Sequence, residues 1–517
     1  MHPHSLLLLL LLLVPLLLLC STVVSASLHV GVDPARTTFV TAAGVTATLE
    51  EHDGGWPRCE RAQQWSGYLH LPGAPPDGDS TTKHYFYWMF GPRAVERRAT
   101  APLVLWMTGG PGCSSVLALL TEMGPCSVDA DRGDVRHNPW AWNAEAFLLF
   151  VDQPAGVGYS YADRASDLDR NESQVADDMY HFVQALMERH AELRGREWFV
   201  VGESYGGHYA PATAHRILRG NAELRAAGRG GYRPVRLAGM AVGNGLTDST
   251  LQYPAYPRMA HNYCRDAFGA PCVSAADRQT MEAALPDCQA AIAACNAAAA
   301  GSAAEEESCT AAFRLCAAVT APYSATRRNP YDVRRFCDAD SDLCYDFAHV
   351  EKFLNRPDVQ RALGAREGTH WESCNMEVNG MFVLDFYKNF NASVVALLEA
   401  GVRVMIYAGD CDFICNWIGN KAWLQALRWS GHDAFAAAYD VPFRLEARRG
   451  VPREERIVGL VRAVAADQLP AAAAVNSTSP ILLTFVQLFG AGHMVPMDQP
   501  AASRTMLHHF LRDEPFV

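Results

Sequence analysis

Gly202-Glu203-Ser204-Tyr205-Gly206 sets a serine between two glycines, after the apolar run 198–201 and before a helical pattern. A sharp turn from strand to helix lifts a serine hydroxyl clear of a sheet, and the glycines permit the tight backbone. A hydroxyl is a weak nucleophile, so it needs a base, and the base needs an orienting carboxylate. Downstream, the run 402–407 ends in Ala408-Gly409-Asp410-Cys411-Asp412, and the run 482–488 ends in Gly490-Ala491-Gly492-His493. Each residue type alone is commonly structural. Together, in this order and each just past a strand, they point to acyl transfer. The negative charge of a tetrahedral intermediate needs amide donors. Gly109 and Gly110, after the run 103–107, and the amide of Tyr205 are candidates.

These residues must be held by strands. The runs 103–107, 147–151, 198–201, 237–242, 402–407 and 482–488 are nearly continuous in apolar residues, as in strands covered on both faces. Helical patterns at 174–193 and 210–218 lie between them, which predicts a mostly parallel sheet in an α/β domain. The order serine, acid, histidine is that of an α/β-hydrolase fold. The rhythm breaks at about 249–345, an alanine-rich stretch with eight of the cysteines, which reads as a helical, disulfide-stapled cap insertion. Residues 429–480 read as excursion and surface loop.

The chain has 517 residues, 49% of them hydrophobic and 19% charged, enough for a large core and against global disorder. Its 44 basic and 56 acidic residues leave −12, without the basic excess of a nucleic-acid binder. A leucine run at 6–19 followed by Val24-Ser25-Ala26 predicts a signal peptide over 1–26, too short for a membrane span. Residues 27–58 are expected to be an N-terminal extension or short propeptide, and 59–517 the hydrolase domain. Of fifteen cysteines, Cys20 falls in the leader, and the rest suit disulfides in a secretory compartment. Sequons at Asn171, Asn391 and Asn476 fit a glycosylating lumen. No paired Cys/His spacing suggests zinc, and neither a metal nor another cofactor is expected.

The blocks WMTGGPGCSS, DQPAGVGYSY, GESYGGHYAP, GNGLTD, AGDCDFICNWIGN and GAGHMVP resemble those of the serine carboxypeptidases, nearest the carboxypeptidase Y and plant type III branch. The match runs in one order from about Gln64 to the C-terminus. The resemblance implies an enzyme that releases C-terminal residues from peptides or proteins at acidic pH through an acyl-enzyme. It implies residence in a vacuole or lysosome, with secretion as the alternative. It assigns the nucleophile to Ser204, the base to His493 and the orienting acid to Asp412, the second aspartate of the family's Gly-Asp-x-Asp, with Asp410 the rival. Oxyanion donors map to the amides of Gly110 and Tyr205. The substrate carboxylate maps to Trp106, Thr108, Gly109, Glu122 and Glu203, and the leaving-group pocket to Cys415 and Met494. Thr108 stands where carboxypeptidase Y has asparagine, so it offers one donor instead of two and reaches less far. The resemblance pairs Cys113 with Cys374, Cys337 with Cys344, Cys288 with Cys316, Cys295 with Cys309 and Cys264 with Cys272. It leaves Cys415 a free, mercury-sensitive thiol and Cys59, Cys126 and Cys411 unassigned.

Two glutamates beside a bound carboxylate would repel it, so at least one should carry a proton and donate to it. Expected partners are peptides with a free C-terminus, with no nucleic acid and no membrane span once the leader is cut, the protein being a monomer or homodimer. The alternatives are an acyltransferase or an esterase. Acyltransferases of this fold carry aspartate at the Glu203 position, which favours the peptidase.

Overall fold

The computed structural model describes residues 35–40, 45–72, 81–227, 234–337, 344–445, 457–469 and 480–516. Thirteen strands form one mixed sheet. At one edge β1 (Ala35–Val40), β2 (Thr46–Asp53), β3 (Gln64–Pro72) and β4 (Thr81–Phe90) run antiparallel. The centre is parallel: β8 (Phe147–Val151), β5 (Leu103–Thr108), β10 (Glu197–Glu203), β11 (Arg236–Gly243), β12 (Arg403–Gly409) and β15 (Ile481–Leu488). At the far edge β14 (Ile457–Ala465) and β13 (Val441–Arg444) are again antiparallel. Short β9 (Tyr161–Ala162) joins β4, and β6 (Cys126–Asp129) with β7 (Asp134–His137) forms a separate hairpin.

The central strands are continuous in apolar residues because both of their faces are covered. Leu103, Leu105 and Met107 of β5 enter one buried cluster, and Val104 and Trp106 enter the other. The helices α1 (Ser115–Thr121), α2 (Glu172–Arg189) and α3 (Gly206–Ala227) supply part of that cover. From β5 the chain turns one way to β8 and, after β10, the other way to β11. Their carboxyl ends therefore open a crevice at the point where strand order reverses.

The insertion has a core of its own. Its hairpin of α4 (Ala275–Ala297) and α5 (Ala303–Ser324) is cross-linked by Cys288–Cys316 and Cys295–Cys309. Cysteines seven apart recur on one helical face, so two antiparallel helices can be stapled twice. The insertion reaches the sheet's carboxyl edge, where the Tyr323 and Phe413 rings stack at 3.7 Å. The Phe413 and His493 amides also donate to the carbonyls of Pro330 and Tyr331.

Within residues 27–58, expected to be an N-terminal extension or short propeptide, β1 and β2 pair into the sheet. Ala47 and Leu49 are buried in its core. Residues 429–480 are not only loop, because β13 and β14 lie there. Edge strands show shorter and less continuous apolar runs than central ones, which hides them from a search tuned to buried strands. The leader 1–26 and Asn476 lie outside the described residues.

Candidate active site

Ser204 sits immediately after β10 with φ of 63°, a left-handed conformation rare for a residue with a side chain. Surrounding bonds impose it. The Ser204 amide donates to the Gly243 carbonyl at 3.1 Å, and its carbonyl accepts from the amides of Gly207 and Leu246, both at 2.9 Å. A side chain at Gly202 or Gly206 would collide with backbone, so the turn tolerates only glycine there. Ser204 remains partly exposed while its neighbours are buried.

The loop after β5 lies against this turn. An added Cβ at Gly109 would stand 2.3 Å from the Tyr205 nitrogen and 2.6 Å from the Glu203 oxygen. Gly110 has φ of 109°, in the region that favours glycine. Neither its amide nor that of Tyr205 has a protein acceptor among the described residues, so both are free to receive an anionic oxygen. The loop is fastened from behind. Cys113 is bonded to Cys374, the amide of Ser114 donates to Ser373, and that of Asn375 donates to Gly112.

Beyond β12, Asp412 accepts from His493 Nδ1 at 2.8 Å through Oδ2. It is fully buried and further held by the amides of Ile414 and Cys415. Asn244, which sequence reasoning did not single out, donates from Nδ2 to Asp412 Oδ2 at 2.7 Å. Its own oxygen accepts from the Gly409 amide. The quoted block GNGLTD contained that signal. Asp410 points elsewhere, accepting from the Gly490 amide and the Tyr263 hydroxyl. Burial works against a charged His493, but the Asp412 carboxylate outweighs it and raises the imidazole above its ordinary value. That is the direction a base needs if its protonated form is to be stabilised.

Cys415 joins the two halves of the site. Its thiol lies beside Ser204 and within 4.8 Å of the nearest ligand atoms of Asp412 and His493. Burial pushes that thiol well up, so it is neutral, and it is unpaired, as is Cys411. Asp412, Cys415 and His493 are the one group among the described residues whose donor atoms are close enough to hold a metal. Asp412 Oδ2 already accepts from His493, Asn244 and the Cys415 amide.

Glu203 ends β10 in register with Thr108 of β5, and Glu122 caps α1 beside them. Both glutamates are buried. Glu122 and Glu203 hydrogen-bond to each other, and no other protein group partners the oxygens of Glu122 or Oε2 of Glu203. Burial raises Glu122 far above the carboxylate range, and the charge of Glu203 adds to it. Burial likewise raises Glu203 to about 7. Two such acids side by side share protons across the acid range. The Trp106 N–H is taken up by the residue that faces Glu203 across the strands. Its Nε1 donates to Thr108 Oγ1 at 2.9 Å, which leaves the threonine O–H to donate onward. Met494 is buried directly after His493.

The other expected cysteine pairs are bonded: Cys264–Cys272 and Cys337–Cys344. Cys59 and Cys126, which the sequence left unassigned, bond to each other. Asn171 caps α2 and Asn391 begins a later helix, α6 (Asn391–Glu399).

The serine carboxypeptidase family model matches residues 56–513. A carboxypeptidase Y homolog A of Ajellomyces dermatitidis is 37% identical over 459 residues, covering 88% of this chain and 74% of that protein. Serine carboxypeptidase-like 48 of Arabidopsis thaliana is 34% identical over 461 residues, 89% of this chain and 80% of its own. The crystal structure of a prohormone-processing carboxypeptidase from Saccharomyces cerevisiae superposes with a TM-score of 0.71 at 25% identity. It covers 87% of this chain and 92% of that one.

Proposed function

Because the chain belongs to the serine carboxypeptidase family, we propose that Ser204, His493 and Asp412 carry its chemistry and that Glu122 and Glu203 select the peptide's end. The protein is a serine-type carboxypeptidase acting on peptide substrates. Ser204 attacks the last carbonyl while His493 takes its proton. Asp412 stabilises the imidazolium, and the amides of Gly110 and Tyr205 hold the oxyanion. His493 then protonates the departing amino acid, and water, activated by the same imidazole, releases the acyl chain from Ser204. The names of the relatives do not favour the acyltransferase or esterase alternative.

One observation carries the choice of a chain end. Two buried glutamates lie near the nucleophile, hydrogen-bonded to each other, with no basic side chain beside them apart from His493. A protonated Glu122 or Glu203 donates to the substrate carboxylate, and an ionised pair repels it. The test is KM from pH 4 to 8 for a blocked dipeptide and for its amidated counterpart. KM for the free acid should climb as pH passes the Glu203 value of about 7, and KM for the amide should change less. Parallel curves would overturn the assignment.

Six disulfides support a secretory route. No helix among the described residues is long and apolar enough to cross a membrane. An acid-loving carboxylate site fits a vacuole or lysosome better than the cell exterior. Sorting of a tagged full-length chain to an acidic compartment tests that reading.

A further inference from the structure

Beyond α5 the insertion returns toward the sheet through the segment 327–337, which bonds to both loops of the proton-transfer pair. On the Asp412 side, the Pro330 carbonyl accepts from the amides of Phe413 and Ile414, both at 3.0 Å. The Val333 amide donates to the Cys411 carbonyl at 2.9 Å. On the other side, the Tyr331 carbonyl accepts from the amide of His493 itself at 2.8 Å, and the two rings lie 5.0 Å apart. An added Cβ at Gly492 would stand 2.5 Å from that same carbonyl, so segment and loop pack backbone to backbone.

The segment is folded by an isolated bridge between Arg328 and Phe336 and by local turn bonds, so its side chains decide its shape. Asp332, 1% exposed, receives a fork from Arg334: Nε to Oδ1 at 2.8 Å and Nη2 to Oδ2 at 2.9 Å. Such a bidentate pair fixes the plane of the guanidinium as well as its distance. Arg334 Nη1 then donates to the Gly490 carbonyl at 3.0 Å. Its Nη2 lies 3.5 Å from Asp498 Oδ2, which accepts from the Gly492 amide at 2.7 Å. One arginine thus serves both glycines that flank Ala491, just ahead of His493. Arg335 pairs with the same carboxylate, Nε to Oδ2 at 3.2 Å, but its side chain is 59% exposed.

We propose that Asp332 and Arg334 are positioning residues, whose fork makes the segment 327–337 a clamp that keeps the His493 loop in register with the Asp412 loop. The inference rests on Ser204, His493 and Asp412 being the reacting set. Strands β12 and β15 fix where the two loops begin, but the imidazole and the carboxylate meet several residues further on. A displacement of about 1 Å in a reacting group costs on the order of 10²-fold in rate. The insertion therefore contributes to the chemistry through two side chains that act on the histidine loop.

The test is steady-state kinetics of the full-length protein on a blocked dipeptide with a free C-terminus, with folding followed by circular dichroism. Arg334→Met removes the fork and the Gly490 bond, and should lower kcat roughly 10–100-fold with KM within about twofold. Arg334→Lys keeps the charge without the fork, and its kcat should stay at least about fivefold below wild type. Asp332→Asn carries the same prediction as Arg334→Met should that variant fail to fold. Arg335→Met leaves the fork in place and should keep the wild-type kcat. Wild-type kcat in folded Arg334→Met or Asp332→Asn overturns the proposal, as does an equal loss in Arg335→Met or a rise in KM alone. His493→Ala should be inactive. Activity in that variant would refute the reacting set beneath the proposal, whereas an inactive His493→Ala beside a fully active Arg334→Met refutes the clamp alone.

Discussion

Asn244 and Asp410 make opposite predictions at the residue scale. Asn244 donates one of the bonds that hold Asp412 toward His493. Its φ of 43° is itself a strained position, as expected of a residue kept for its geometry. A hydrogen bond to a charged group contributes about 1.5–3 kcal/mol. Asn244→Ala should therefore lower kcat by roughly 10–100-fold with KM little changed. Asp412→Asn should cost about 10⁴-fold, since the wrong imidazole tautomer is then held. Asp410→Asn should leave kcat nearly intact and lower only the melting temperature, because Asp410 bonds a glycine amide and a tyrosine hydroxyl. Steady-state kinetics on one peptide separate the three. A collapse of kcat in Asp410→Asn alone would mean that the acid has been misassigned.

Two elements compose the proposed oxyanion site, and their contact is backbone against backbone. The β5 loop can approach the turn after β10 only because Gly109 has no side chain. Gly109→Ala should push the two apart and misplace a donor, with a loss in kcat of about 10²–10³-fold. Gly380→Ala, whose added Cβ meets nothing within 4 Å, is the matched control and should behave as wild type. Circular dichroism of both variants confirms folding, and equal kcat in the two would refute the role given to the contact. The same loop is anchored by Cys113–Cys374, which closes the longest disulfide loop of the six.

Across the whole molecule, buried titratable groups set opposite limits on stability. His70, His181 and His208 are depressed to about 4, chiefly by burial. Their stabilisation is full above the unfolded value of 6.5 and is lost as pH falls toward 4. Glu203 and Asp169 are raised to about 7, again chiefly by burial, and burial also lifts Glu122 and Glu172 well up. Their stabilisation is full below the unfolded carboxylate values near 4 and is lost as pH rises through 7. The melting temperature should peak between about pH 5 and 6.5 and fall on both sides. In Glu122→Gln/Glu203→Gln the decline above pH 6.5 should be shallower. A melting curve that rises steadily to pH 8 would contradict this balance.

Much of this was legible from local order. Strand runs in β5, β8, β10, β11, β12 and β15, the glycines that bracket Ser204 and the order of the three chemical residues are written into short stretches of sequence. Backbone conformation and burial periodicity are local consequences of residue type. What the sequence left open depended on groups distant along the chain but near in space. The bond that Asn244 makes to Asp412 needed the turn after β11 to meet the end of β12, the partner of Cys59 was Cys126 across 67 residues, and the Trp106 N–H turned toward Thr108. Strands β1 and β2 take their place by pairing at the edge of the sheet, and an edge strand carries little of that in its own pattern. Tertiary structure decided these because a hydrogen bond or disulfide depends on where two atoms meet, which no single segment specifies.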